Sequence, residues 1–226
     1  MKPEWCVYLV AVVILSKWLM QLWLNRLNRR HVKAHADSVP EAFRDTMDEA
    51  TYAKSVDYTL ERNAFSAFSI SWHFVLLIVA LFSGVLPWFL DWYSSRLNEG
   101  LWAMAGFLLL VPYVLSLFSL PLSWYNQFRL EEHFGFNTTT QAIWWMDWAK
   151  GNLLYLVLGW PMAALVLWLF KWSADWWWLW TWGSLMGFQL LMVILAPQII
   201  MPLFNKFTAL PEGSLKDRLL ALGERT

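Results

Sequence analysis

Cysteine and charge are both scarce in this 226-residue sequence. The single cysteine, Cys6, excludes an internal disulfide, and it precedes the first apolar segment instead of following it as a lipoprotein cysteine does. Lys, Arg, Asp and Glu make up only 15% of the chain, against about a quarter in a soluble domain. The 17 basic and 17 acidic residues cancel, so no basic surplus points to a nucleic-acid partner. Short segments of alternating polarity are missing as well, which argues against a membrane β-barrel. No small-residue cleavage site follows the first apolar block, which contains Lys17 and the bulky Trp18. That block reads as a retained helix, not as a removed signal peptide.

What is present is apolar: 58% of the residues are hydrophobic and 19 are Trp. The apolar residues fall in blocks close to the roughly 20 residues that cross a bilayer as a helix. The expectation is an all-α polytopic membrane protein of about five spans, near residues 5–24, 67–90, 101–124, 152–170 and 176–204. Six prolines, at positions 87, 112, 121, 161, 197 and 202, fall in or at the ends of these spans, which favours bent helices around a cavity. Trp176, Trp177, Trp178, Trp180 and Trp182, with Trp144, Trp145 and Trp148, are expected at headgroup level.

Cytoplasmic loops accumulate Lys and Arg. Thirteen of these residues fall in segments 25–66, 125–151 and the tail after the last span, against Lys2, Arg96 and Lys171 on the other side. The N-terminus is therefore expected outside and the C-terminus in the cytoplasm. The short external loops suggest a compact bacterial protein of the inner membrane, with the endoplasmic reticulum membrane as the alternative location.

Few residues suggest chemistry. His31 and His35 in HVKAH share one helix face, but a zincin needs HExxH with Glu as general base, and here that position is Val32. Glu131 and Glu132 form an acidic pair, yet the EExxxR pattern of membrane glutamate proteases would need Arg where Phe136 stands. The bland reading of the pair is a helix end. His73 lies within the second span, and an intramembrane ionisable group is a functional candidate. Gln189 in the fifth span is its weaker polar counterpart. The alternative to a site is a neutral His73 bonded to a neighbouring helix.

Gly135 sits between Phe134 and Phe136 and tolerates positive φ, so it suits a helix C-terminal cap. Phe134 and Phe136 are expected to bury on either side. Asn137 is expected to cap the next helix, with Thr138 and Thr139 in its first turn.

The stretch YNQFRLEEHFGFNTTTQAIWWMDWAK, residues 125–150, resembles the EExFGFNxTT segment of the type I CAAX prenyl protease family of membrane zinc metallopeptidases. YAKSVDYTLERNAFS at 52–66 and PQIIMPLFNKFTAL at 197–210 resemble further segments of that family in the same order. The resemblance implies a zinc-dependent endopeptidase acting on peptides or lipidated proteins. It gives Glu131, Glu132, Phe134, Gly135, Phe136, Asn137, Thr139, Pro202 and Asn205 structural or substrate-chamber roles. Family members carry HExxH and a later Glu ligand downstream of the PLFNKF segment. This sequence stops at Thr226 before them, so the resemblance assigns no catalytic or metal-binding residue here. The expectation is a membrane region over residues 1–204 with 205–226 beginning a cytoplasmic catalytic domain. Zinc belongs to the intact protein and none to this chain. A non-enzymatic transporter or scaffold, with His73 and Gln189 on its path, is the alternative.

The charge bias predicts that cysteines introduced at Ser38 and Ser95 are labelled from opposite sides of the membrane. Labelling of both by an impermeant reagent from outside would contradict the assigned orientation.

Overall fold

The computed structural model describes residues 3–97, 100–173, 175–208 and 211–223, and every regular element among them is helical. Helix α1 runs Pro3–Ala34, and a 3-10 turn at Glu41–Phe43 precedes α2, Glu49–Phe82. Helix α3 spans Val85–Ser94, and α4, Leu101–Tyr125, continues as a π-helical segment Asn126–Glu131. Helix α5 is Gln141–Trp172. Helix α6, Trp177–Leu195, passes through a second π segment, Ala196–Ile200, into α7, Met201–Phe204, and α8 is Ser214–Gly223. Five of these stretches are long and apolar enough to cross a membrane: Trp5–Ala34, Glu49–Phe82, Leu101–Glu131, Gln141–Trp172 and Trp177–Phe204. The chain is an integral membrane protein with five spans. Only nine apolar side chains are buried among the described residues, because lipid takes the place that a water-excluding core has in a soluble protein.

The chain forms two compact units, residues 1–164 and 165–226. In the first, α1 lies antiparallel along α2. Trp18 stacks on Phe74 at 4.5 Å between ring centroids and donates its Nε1 proton to Ser71 Oγ at 3.3 Å. Ten residues further along α1, Asn28 Nδ2 donates to Asn63 Oδ1 at 3.3 Å. Helix α2 opens on Asp48, whose Oδ1 accepts from the Thr51 amide at 3.0 Å. Hydrogen bonding from Thr51 holds that carboxyl below its usual range.

The second apolar block, expected as one span from 67 to 90, is divided. Its α-helix stops at Phe82, Gly84 takes φ +80°, and residues 85–90 belong to the short α3. Apolarity continues across the break, so composition alone does not reveal it. In the second unit Trp176, Trp177, Trp178, Trp180 and Trp182 are exposed, as a headgroup belt requires, and Trp168 stacks flat on Trp172 at 5.5 Å.

Prolines 112 and 121 lie inside α4. A proline lacks the donor for the carbonyl four residues earlier and pushes the helix open on that side. In hydrocarbon, neighbouring helices must satisfy what is freed. The carbonyl three residues before each proline takes an aromatic donor from another helix: Tyr155 Oη donates to the Leu109 oxygen at 2.9 Å, and Trp72 Nε1 to the Phe118 oxygen at 3.0 Å. Two more such links reach the start of α4, Trp160 Nε1 to the Trp102 carbonyl at 2.9 Å and Tyr93 Oη to the Ala103 carbonyl at 2.8 Å. Gly106 permits this approach, since a Cβ there would stand 3.0 Å from Tyr93 Oη and 3.5 Å from the Trp160 ring.

Trp72→Phe and Tyr155→Phe each remove one interhelical hydrogen bond while keeping an aromatic ring. Each is expected to lower stability by about 1 kcal/mol, with the pair adding. Equilibrium unfolding in mixed detergent micelles measures this, and unchanged midpoints for both variants would contradict the assignment.

Candidate functional site

The π segment at the end of α4 builds the site. One residue inserted into an α-helix turns the following face by about 100°. Phe128 and Leu130 are thereby buried, and the Glu131 side chain meets α2. Tyr58 Oη donates to the Glu131 carboxylate, at 2.9 Å from Oε1 and 3.1 Å from Oε2. The same phenol oxygen accepts from Arg62 Nη1 at 2.9 Å. Arg62 is one turn along from Tyr58, with its guanidinium 5.7 Å from the Tyr58 ring centroid. A guanidinium, a phenol and a carboxylate thus form one chain across the α2–α4 junction.

The motif after Glu131 closes the helix as a Schellman turn. Gly135 takes φ +80°, its amide donates to the Glu132 carbonyl at 3.0 Å, and the Phe136 amide donates to the Glu131 carbonyl at 2.9 Å. These two bonds satisfy carbonyls that a helix end leaves free. Phe134 is buried, 5% exposed, and meets the Tyr58 ring edge-on at 5.2 Å. Phe136 was expected to bury on the other side but stays 58% exposed. It meets the Tyr58 ring edge-on at 4.9 Å but is not enclosed, because the residue after a left-handed glycine leaves the helix axis.

Asn137 does not cap the next helix. Its Oδ1 accepts from Gln127 Nε2 at 2.6 Å and from the Thr139 amide at 2.9 Å, so it ties the turn back to the π segment. Thr138 and Thr139 lie before the helix. Thr140 is the cap, its Oγ1 accepting from the Ile143 amide at 3.3 Å. Asn and Thr are both good caps, and the extra residues are taken up by the Asn137 turn.

Two cavities flank this junction. The larger, about 1170 Å³, lies between α2 and the end of α4. Glu61, Arg129, Glu132 and His133 give it polar walls, and Phe65, Trp124 and Phe128 are among its aromatic ones. The smaller, about 440 Å³, opens between α1 and α2 beside Asn126. His73 lines the smaller one. Its Nδ1 is 2.6 Å from the Ser69 carbonyl, which only accepts, so Nδ1 carries the proton. Nε2 is hydrogen-bonded with Ser119 Oγ at 3.0 Å. His73 is therefore joined to α4, the structural alternative raised from the sequence. Gln189, on α6 in the second unit, is exposed and makes no side-chain hydrogen bond to the described residues. Pro202 sits in the first turn of α7, and Asn205 ends that helix in extended backbone, its amide donating to the Met201 carbonyl at 2.9 Å.

Sequence reading did not single out Tyr58 and Arg62 as site residues. Their i, i+4 spacing was a visible signal, but the Glu131 partner lies 73 residues away.

Zinc does not fit the described residues. No three His, Cys, Asp or Glu side chains converge among them. His31 and His35 are close, 4.3 Å between rings, but His35 Nδ1 is engaged by the His31 carbonyl. Both His73 nitrogens are bonded, and His133 stacks on Phe134 at 4.8 Å.

Nothing stands within 4 Å of a Cβ placed on Gly135, so substitution there costs backbone strain and not a clash. Gly135→Ala is expected to destabilise by about 1–2 kcal/mol, and Gly135→Val by more. Tyr58→Phe, which leaves Glu131 and Arg62 without their shared phenol, should cost about 2 kcal/mol. Thermal unfolding in detergent checks all three. A Gly135→Val midpoint equal to that of the parent would show that the turn does not need glycine.

Comparison with known proteins agrees with this architecture. Residues 28–206 match the family described as CAAX prenyl protease N-terminal, five membrane helices. The mouse CAAX prenyl protease 1 homolog is 31% identical over 92% of this chain and 46% of its own length. CAAX prenyl protease 1 of Saccharomyces cerevisiae is 32% identical over 87% of this chain and 46% of its own. The crystal structure of S. mikatae Ste24p superposes with a TM-score of 0.87 at 27% identity, covering 96% of this chain and 51% of that one. The chain spans about half the length of the curated relatives it matches. It belongs to the CAAX prenyl protease N-terminal family and is homologous to the N-terminal membrane half of those proteases.

Proposed function

We propose that this chain is the membrane half of a zinc-dependent metalloendopeptidase that cleaves prenylated or otherwise membrane-associated proteins, and that it supplies cavity wall and substrate path. The observation that carries this reading is the cavity of about 1170 Å³ bounded by α2, the π segment and the family motif. Its volume is above the usual range for a small-molecule pocket, and its walls suit an extended peptide. Glu61, Arg129, Glu132 and His133 offer hydrogen-bonding and charged groups for main chain and polar side chains, while the aromatic walls accept apolar ones. Glu131, Phe134, Gly135, Asn137 and Thr139 hold the wall in shape, and Glu132 faces the cavity itself. Pro202 and Asn205 shape the exit of the last span, with residues 205–226 leading into the catalytic domain. Metal ligands and general base belong to that domain, outside this chain. The N-terminus faces out and the C-terminus faces the cytoplasm, where prenylated substrates arise.

The test is coexpression with a separate polypeptide carrying the remaining half of the yeast relative, followed by cleavage of a farnesylated CAAX peptide. Chelator-sensitive cleavage is expected only when both polypeptides are present. Stoichiometric zinc or cleavage with this chain alone would overturn the division of labour.

A further inference from the structure

The smaller cavity is not used by the proposed peptidase reading. On α1 its wall is Ile14, Lys17, Trp18 and Gln21, spaced i, i+3, i+4 and i+7, which is one helix face. On the antiparallel α2 its wall runs from Leu77 back to Arg62. The two walls share one polarity gradient. Ile14 and Leu77 mark an apolar end, and Gln21, Arg62 and Asn126 mark a polar one. Lys17 lies between the two ends.

The charges on this wall have one sign. Lys17 and Arg62 line the cleft and no Asp or Glu does. Arg62 has a phenol partner in Tyr58. Lys17 makes no ion pair or side-chain hydrogen bond to the described residues. His73, facing the same cleft, is already bonded on both ring nitrogens. An ammonium within a membrane span is costly unless it is paired or reaches the interface, and Lys17 lies less than two turns from Trp23, at the edge of the apolar block.

We infer that the cleft between α1 and α2 is a binding site for the phosphate of an anionic phospholipid. An acyl chain lies along Ile14 and Leu77, the phosphate meets Lys17 and Gln21, and the rest of the headgroup extends toward Arg62 and Asn126. Basic clefts between membrane helices are suited to acidic headgroups. The cleft's volume of about 440 Å³ takes a headgroup and the upper part of one chain. The site is independent of the proteolytic reading, because it shares no polar lining residue with the larger cavity.

The test is native mass spectrometry of the delipidated chain, titrated separately with dioleoyl phosphatidylglycerol, dioleoyl phosphatidylcholine and inorganic phosphate. The expected result is a preference for phosphatidylglycerol over phosphatidylcholine of about tenfold, and a loss of about fivefold in Lys17→Gln. Lys17→Arg should retain the preference, and Lys33→Gln, outside the cleft, should match the parent. Phosphatidylglycerol retained without inorganic phosphate identifies lipid as the source. Inorganic phosphate bound as tightly and lost in Lys17→Gln identifies a free phosphate site of the same chemistry. Equal retention of the two lipids by the parent chain overturns the proposal, and this arm needs no variant to fold. Displacement of the lipid by a peptide with a free C-terminal carboxylate, but not by the corresponding amide, would likewise overturn it.

Discussion

Every other feature of the membrane region depends on one constraint: a backbone carbonyl freed in hydrocarbon must find a donor within the protein. Helix α4 tests this constraint twice, at Pro112 and Pro121. Beside each, an aromatic side chain of another helix donates to the carbonyl next to the freed one, Tyr155 to Leu109 and Trp72 to Phe118. An aromatic donor suits the task because its apolar body faces lipid or packs between helices while a single N–H or O–H reaches the backbone. This gives part of the tryptophan content a second cause. Trp176, Trp177, Trp178, Trp180 and Trp182 are exposed, whereas Trp72 and Trp160 are interhelical fasteners.

The same constraint explains why the motif after α4 reads as it does. The π segment rotates the helix end so that Glu131 meets Tyr58, and the chain must then stop without orphaned carbonyls. Gly135 makes the left-handed turn that lets the Gly135 and Phe136 amides cover the Glu132 and Glu131 carbonyls. Asn137 holds the following residues against Gln127. Each position serves a different bond. Replacing Glu131 by another acceptor, or Gly135 by a β-branched residue, therefore acts at separate points of one structure.

What the sequence discloses divides along the range of the interaction. The five spans were legible because a bilayer demands about 20 apolar residues and the sequence supplies them in blocks. Positive φ at Gly135 was legible because a glycine between two aromatics at a helix end has few other uses. The break at Ser83–Gly84 was not, since apolarity runs through it into α3. Tyr58 as the partner of Glu131 was not legible either, because nothing local ties residues 73 apart. The capping role fell to Thr140 instead of Asn137 for a reason outside the segment: Gln127, across the turn, claims the Asn137 oxygen.

Helix α2 carries the remaining consequence. Glu61 and Arg62 are neighbours in sequence, and one step of an α-helix turns the side chain by about 100°. Glu61 consequently faces the larger cavity with Glu132, and Arg62 faces the smaller with Lys17. Helical pitch thus sends the acidic and the basic side chain of this pair into separate spaces, with Phe65 forming part of both walls. The sorting holds only while α2 keeps its rotation. Contacts of different kinds hold it, among them the stacking of Trp18 on Phe74 and the hydrogen bond from Tyr58 to Glu131. These two grip α2 more than four turns apart. The polar residues of the two cavities are in this sense a single arrangement, set by the helix between them.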